Sequence, residues 1–291
     1  MTSHDVVNRM RRLYQTKRVG HTGTLDPDAT GILVLCLGNG TRLAEYLSAA
    51  KKHYTSEFTF GIETSTQDIS GEVLKERDAS GLTEMALDAL LPAFRGTIVQ
   101  IPPMVSARHH EGKRLYELAR QGIEVEREGR EIEVSELEMS CFSPGVSPKA
   151  TFEITCSTGT YIRTLAFDIG TLTGVGACMS SLRRTWVGES EAQSFSLIDA
   201  FRLEDLEMLN SENRLRDSVV PLSKTVRSWQ KVELDDKGLA DIRQGRAIEL
   251  GDDKRRDKSE VYPVAVMDPI GDLAAIGKIV SGILHPVKVL I

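Results

Sequence analysis

The chain has 291 residues, of which 41% are hydrophobic and 27% charged, a balance that suits a large core domain with a smaller appendage and excludes extended disorder. No stretch approaches the about 20 apolar residues of a membrane-spanning helix, and Met1-Thr2-Ser3-His4-Asp5 lacks an apolar signal region, so a cytoplasmic protein is expected. A net charge of −6 argues against a uniformly basic nucleic-acid binder, yet basic residues gather at Arg9 to Arg18, at Lys51-Lys52-His53 and from Arg108 to Arg120, so one basic face is possible. Cys36, Cys141, Cys156 and Cys178 lie far apart, with no Cys-x-x-Cys pair and no His spacing for zinc. They read as reduced thiols, and no metal or cofactor is expected.

In chain order, Gly20-His21-Thr22-Gly23-Thr24-Leu25-Asp26-Pro27 and the following residues to Gly31 form a glycine-rich loop that displays one carboxylate. Gly20, Gly23 and Gly31 permit unusual backbone angles and Pro27 restricts Asp26. Ile32 to Leu37 reads as a buried strand ended by Gly38-Asn39-Gly40, followed by a short helix capped by Thr41. Tyr54, Ser56, Phe58 and Phe60 alternate with polar residues, which marks a strand with one apolar face. From the N-cap Thr83, the spacing of Leu87, Leu90, Leu91 and Phe94 predicts a core helix.

Pro102-Pro103 opens a loop leading into a helix with Leu115, Leu118 and Ala119 that stops at Gly122. Strands are expected at Ile132 to Val134, Ala150 to Cys156 and Met179 to Trp186. Ser157 to Thr160 is expected to cap a helix carrying Tyr161, Arg163, Leu165 and Ile169, ended by Gly174-Val175-Gly176. Beyond a boundary near Pro221 to Ser228, a short helix at Leu239 to Ile242 and strands at Tyr262 to Met267, Leu273 to Val280 and Val287 to Ile291 predict a small β-rich domain. Strands and helices mix without a βαβ rhythm or an internal repeat. The expected class is therefore α+β, with a mixed, mainly antiparallel central sheet flanked by helices.

The Gly-His-Thr-Gly-Thr-Leu-Asp-Pro run is followed, in order, by four further segments: Lys52-His53-Tyr54, Gly61-x-x-Thr64-x-Thr66-x-Asp68-x-x-Gly71, Pro102 to Ala107 with Gly112 to Tyr116, and Gly159-Thr160-Tyr161-Ile162-Arg163 with Leu182-Arg183-Arg184. On these segments, over nearly its whole length, the chain resembles the bacterial tRNA pseudouridine synthase B (TruB) family. The resemblance implies isomerisation of the T-loop uridine of tRNA, uridine-55, by detaching the base from N1 and reattaching it through C5 after the nucleotide is flipped out. It implies a pseudouridine synthase catalytic domain over 1–224, with a mobile thumb at about 102–130, and a PUA-like RNA-binding domain over 228–291.

Asp26 matches the essential aspartate, which either attacks C1′ or removes a proton from C2′. Arg163 matches its charge partner, and a neighbouring guanidinium favours a carboxylate's ionised form. Tyr54 matches the tyrosine that stacks on the uracil and whose hydroxyl can assist loss of the C5 proton. His21 matches a histidine that holds the target nucleotide out of the loop, and Leu182 an apolar position near the pocket. Tyr161, Lys52 and the thumb residues Arg108, Lys113 and Arg114 are the expected RNA contacts. The resemblance further implies a monomer that needs no guide RNA or protein partner. Competing readings are a tRNA-binding folding helper and a guide-RNA-dependent relative.

Two departures stand out. The family usually carries an N-terminal strand and a Lys-Pro-x-Gly segment before Thr-Ser-x-x-Val, so a start codon assigned too late, or a sheet with a less protected edge, is expected here. Glu63 and Ser65 stand where the family often has a basic residue and an Asp, which weakens the expectation of RNA contacts there.

Overall fold

A computed structural model describes residues 1–106, 109–110, 113–114, 123, 125–250 and 260–291. The expected thumb helix at Leu115 to Gly122 lies outside the described residues. So does Arg108. The chain forms two compact units, one made of Met1–Ser3, Gly23–Val34 and Leu47–Ala200, the other of His4–Thr22, Leu35–Tyr46 and Phe201–Ile291.

The first unit is built on a seven-stranded sheet. Its order is Ser194–Ser196, Ala177–Gly188, Lys51–Phe60, Lys149–Cys156, Arg130–Ser143 and Gly96–Gln100, and the two-residue strand Thr30–Gly31 also pairs with Ala177–Gly188. Only that last pairing is parallel. The sheet is thus mixed and mainly antiparallel, as the sequence predicts. Alternation in Lys51–Phe60 buries Tyr54, Ser56, Phe58 and Phe60 on one face, and Phe58 meets Phe152 at a ring separation of 4.7 Å. The helix Ile162–Thr173 lays Ile162, Leu165, Ala166 and Ile169 into the same core. It stops at Gly174, whose φ of 79° is the left-handed conformation that favours glycine at a helix end.

Several local expectations give way. Only Leu35–Leu37 of the Ile32–Leu37 run is a strand, paired with Val19–His21, whereas Ile32 and Val34 pack with Val187. One apolar run is divided between two units, which hydrophobicity alone does not reveal. Thr41 caps nothing. It lies inside a 3-10 helix, Gly38–Leu43, and its hydroxyl donates back to the Gly38 carbonyl at 2.8 Å, before the helix Ala44–Ala49. The helix from Thr83 is capped as expected, Thr83 Oγ1 accepting from the Ala86 N–H at 3.2 Å. It spans only Glu84–Asp88 before a 3-10 turn, Leu91–Phe94. Pro92 is the cause, since a proline supplies no N–H and its ring obstructs the carbonyl four residues back. Ser157 to Thr160 does not cap the next helix; its N-cap residue is Tyr161.

In the second unit, the helix Ser3–Leu13 buries Val7 and Met10 against Leu206 and Leu209 of the helix Leu203–Ser211. A five-stranded sheet follows in the order Gln230–Glu233, Val261–Met267, Leu273–Val280, Ile283–Val289 and Ile248–Glu249. This is the expected β-rich C-terminal region, with two additional strands, Gln230–Glu233 and Ile248–Glu249, and with Ile283–Val289 starting four residues earlier than the expected Val287. The short helix Asp236–Arg243 begins where Asp235 accepts from the Gly238 N–H at 2.8 Å. Among the described residues no helix is long and apolar enough to cross a membrane.

Candidate active site

Asp26 begins a tight turn, its carbonyl accepting from the Ala29 N–H at 3.0 Å, and the chain then joins the sheet through Thr30–Gly31. Of the three glycines that frame this loop, Gly31 is the one with a positive φ, 98°. A β-carbon there would stand 2.1 Å from the Arg184 carbonyl oxygen, so only glycine lets the loop lie this close to its strand. On the other side, the Leu25 N–H donates to Ser3 Oγ at 2.9 Å. Asp26 is displayed between these anchors.

Arg163 meets it from the first turn of the helix Ile162–Thr173. A cation there opposes the helix macrodipole, so local helix energetics do not favour it. Its compensation is the fork it makes with Asp26: Nε donates to Oδ2 at 2.9 Å and Nη2 to Oδ1 at 3.0 Å, the strong bidentate geometry of guanidinium and carboxylate. The remaining donors reach the Thr66 carbonyl at 3.1 Å and the Val105 carbonyl at 3.0 Å. The Arg163 side chain is 5% exposed and that of Asp26 34%. The carboxylate is therefore fixed from behind and open in front.

Two residues that sequence reasoning left without a role set Arg163 in place. Gln100, buried at the end of Gly96–Gln100, accepts from the Tyr161 N–H at 2.8 Å and donates to the Tyr161 carbonyl at 3.1 Å, which fixes the start of the helix. Nothing in the sequence around it signals this. Asp68, quoted above only as part of a motif, takes three hydrogen bonds on Oδ1, from Thr66 Oγ1 and from the Ser70 amide and hydroxyl. Its Oδ2 is left 3.7 Å from Arg163 Nε.

Tyr54 lies buried in the core cluster with Leu182. Burial first, then the nearby Cys156, pushes its phenol up to about 12, and the charge of Asp26 adds to the rise. The ring is thus close enough to feel Asp26, and its hydroxyl is protonated at neutral pH. Lys52 does not offer its charge to solvent. It is buried, donates to the Ser48 and Ala50 carbonyls at 2.9 and 2.7 Å, and is brought down to about 8 by burial and then by the Arg184 charge. Tyr161 lines a cavity of about 220 Å³ with Gln100, Pro102, Arg130 and Thr158.

His21 ends the strand Val19–His21 opposite Leu35, half-buried in the second unit. Lys113–Arg114 pairs with His109–His110 as a two-residue ladder. Glu63 is bound to Lys75 and Arg77 at 2.9 Å each, which holds it below the usual carboxylate range and gives it a place in the hairpin Ile62–Thr64 and Val73–Glu76. Among the described residues no group of three or more His, Cys, Asp or Glu is placed to hold a metal ion.

The chain is similar to known proteins over its whole length. Residues 11–162 match the family model of the TruB family pseudouridylate synthase N-terminal domain, and residues 163–227 that of the tRNA pseudouridylate synthase B C-terminal domain. A tRNA pseudouridine synthase B of Dehalococcoides mccartyi (strain CBDB1) is 41% identical over 292 residues, covering 100% of this chain and 93% of the relative. One of Bacillus pumilus (strain SAFR-032) is 40% identical over 281 residues, covering 95% and 88%. Among solved structures, a Cbf5-Nop10-Gar1 complex contains a chain that is 26% identical with a TM-score of 0.68, covering 100% of this chain and 82% of that one. The chain belongs to the TruB family of pseudouridine synthases and is an isomerase.

Proposed function

We propose that the chain converts the T-loop uridine of tRNA, uridine-55, to pseudouridine, with Asp26 as the catalytic carboxylate. The observation that carries this reading is the Arg163–Asp26 fork, which orients a carboxylate rigidly while leaving it open to an incoming ribose. The C1′–N1 bond breaks, the uracil turns, and a C1′–C5 bond forms. C5 loses a proton and N1 gains one, so no atom or electron is exchanged with a cofactor. Asp26 serves either by attacking C1′ or by taking the C2′ proton.

Tyr54 stacks on the flipped uracil, and its hydroxyl oxygen assists removal of the C5 proton as N1 is protonated. Flipping costs a few kcal/mol of stacking, which the Tyr54 ring and Leu182 repay in contact with the base. His21 is an expected contact to the RNA. Tyr161 and the thumb residues Arg108, Lys113 and Arg114 hold the RNA. Lys52, held by the Ser48 and Ala50 carbonyls, adds a positive charge toward the RNA. Residues 1–224 form the catalytic domain and 228–291 an RNA-binding one, and the enzyme works as a monomer.

The test is incubation of the purified chain with a bare T stem-loop RNA, without guide RNA or partner proteins, with and without a chelator. Pseudouridine at the T-loop uridine is expected in both. A requirement for guide RNA would reassign the chain to a guide-dependent relative, and loss with chelator would overturn the cofactor-free mechanism. An Asp26→Asn variant that binds RNA but makes no pseudouridine is expected; one that keeps full turnover would remove Asp26 from the chemistry.

A further inference from the structure

Arg184 is 2% exposed, and among the described residues no carboxylate lies within ion-pair distance of it. Burying a guanidinium without a counter-charge is costly, so its hydrogen bonds have to satisfy it. Three go to main-chain carbonyls, and the Tyr54 hydroxyl is a further hydrogen-bond partner. Nε donates to the Ile32 carbonyl at 2.8 Å, Nη2 to that of Gly23 at 3.1 Å and Nη1 to that of Thr24 at 3.4 Å.

These acceptors lie on both sides of Asp26 in the chain. The main chain of Arg184 adds a fourth hold, its carbonyl accepting from the Ile32 N–H at 2.8 Å opposite Gly31. In the same strand, Arg184 stands in register with Tyr54 of the neighbouring strand, and Leu182 lies two residues before it. A single side chain therefore spans the entry and exit of the Asp26 loop from the strand that carries one expected pocket residue and adjoins another.

We infer that Arg184 is a positioning residue for catalysis, a clamp on the loop carbonyls that sets where Asp26 stands relative to Tyr54. This rests on the reading of Asp26 as the catalytic carboxylate. Arg163 orients the carboxylate itself, whereas Arg184 fixes the backbone that presents it. Lysine keeps the charge but not the planar fork, and it cannot reach carbonyls on both arms of the loop at once. A displacement of about 1 Å in a reacting group is worth about a hundredfold in rate.

The experiment compares wild type, Asp26→Asn, Arg184→Lys, Arg184→Gln and Arg95→Lys by thermal melting, T stem-loop affinity and single-turnover pseudouridine formation at saturating enzyme. Arg95 is the control. Exposed where Arg184 is buried, it binds the carbonyl of Leu137 through Nε and Nη2 at 3.0 and 2.8 Å and, among the described residues, makes no hydrogen bond to the Asp26 loop. Arg184→Lys is expected to fold, bind RNA within threefold of wild type and react about a hundredfold more slowly. Arg95→Lys is expected to lose thermal stability with its rate within twofold.

A folded Arg184→Lys reacting within threefold of wild type would overturn the clamp, as would an equal rate loss in Arg95→Lys. Should neither Arg184 variant fold, Gly31→Ala disturbs the seat of the same loop on the Arg184 strand through the main-chain hold. Its β-carbon meets the Arg184 carbonyl, and the same hundredfold loss is expected; a rate within threefold, or failure of all three to fold, assigns Arg184 to folding alone. A wild-type rate in Asp26→Asn would instead overturn the catalytic reading. The two failures are thus distinguishable.

Discussion

The two sheets of this chain spend their interiors differently. In the unit that carries the Asp26 loop the buried residues include Lys52, Ser56, Thr64, Gln100, Thr155, Arg163, Thr164 and Arg184, whereas the C-terminal five-stranded sheet and its helix bury Val232, Ile242, Val264, Val266, Ala275, Ile279 and Leu284 with no buried polar side chain among the described residues. An apolar core supplies stability without directional demands, while each buried polar group has to be matched with a partner and loses more than a contact when one is removed. The first sheet has accepted that burden where one carboxylate needs a fixed position. The second has no such demand.

The largest effect that can break this contrast is at Asp26. Asp26→Asn keeps the size of the side chain and most of the Arg163 contact but not the carboxylate, and single-turnover pseudouridine formation is expected to fall by about 10⁴-fold or more. Melting should change little. Arg163→Lys keeps a cation and loses the fork, so a loss of about 10²- to 10³-fold is expected with RNA affinity nearly unchanged. If either variant melted far below wild type yet reacted normally when folded, the polar interior would be structural and the contrast would fail.

Tyr54 sharpens the same side. Its phenol stands near 12, so no phenolate accumulates in the free enzyme at neutral pH. Tyr54→Phe, which keeps the ring, is expected to slow single turnover by about 10²-fold if the hydroxyl serves in proton transfer, while Tyr54→Leu also forfeits stacking and weakens RNA binding. Equal rates for wild type and Tyr54→Phe would reduce Tyr54 to a stacking surface.

The opposite outcome is expected in the C-terminal sheet. Leu284 is fully buried, and its side chain fills the space above Gly277 on the neighbouring strand. Leu284→Ala should cost about 2–5 kcal/mol, lowering the melting temperature with the single-turnover rate held within twofold at a permissive temperature. A rate loss without loss of stability would show that this sheet takes part in the chemistry.

How much of this is legible in the sequence follows the same division. Alternation in Tyr54–Phe60 and Ala150–Cys156, and the helix closed by Gly174, can be read because each obeys a local period or a local backbone rule. The Asp26 loop and Arg163 are legible through their resemblance to a family, since they lie 137 positions apart and no local pattern joins them. Arg184 and Gln100 carry no signal of their role. Both act through main-chain carbonyls or amides, which every residue possesses, so no partner residue type marks the pairing. Likewise, the division of Ile32–Leu37 between two units leaves no trace in an apolar run.

The smallest effect tests whether every buried charge of the first sheet belongs to the Asp26 arrangement. Asp168 lines a cavity of about 550 Å³ with Gln67, Phe94, Ile98, Thr164 and Phe167, and burial raises its carboxyl to about 6 from the ordinary 3.8. Between those two values the folded chain holds a proton that the unfolded chain has lost. Stability from this group is therefore full below about pH 4 and falls away as the pH rises to 6. Asp168→Asn cannot ionise, so it should melt higher than wild type at pH 7.5, by about 2–4 °C for about 1 kcal/mol once partial solvent contact is discounted. The advantage should vanish below pH 4, where both side chains are neutral. Thr164 Oγ1 donates to Gln67 Oε1 at 2.9 Å on the wall of this cavity, one residue along from Arg163 and from the Thr66 carbonyl that Arg163 holds. A stabilised Asp168→Asn with an unchanged rate leaves Asp168 outside the polar arrangement. A tenfold rate loss in the same stabilised variant would place the Asp168 charge within the set that positions Arg163, extending the functional interior one layer behind the active site.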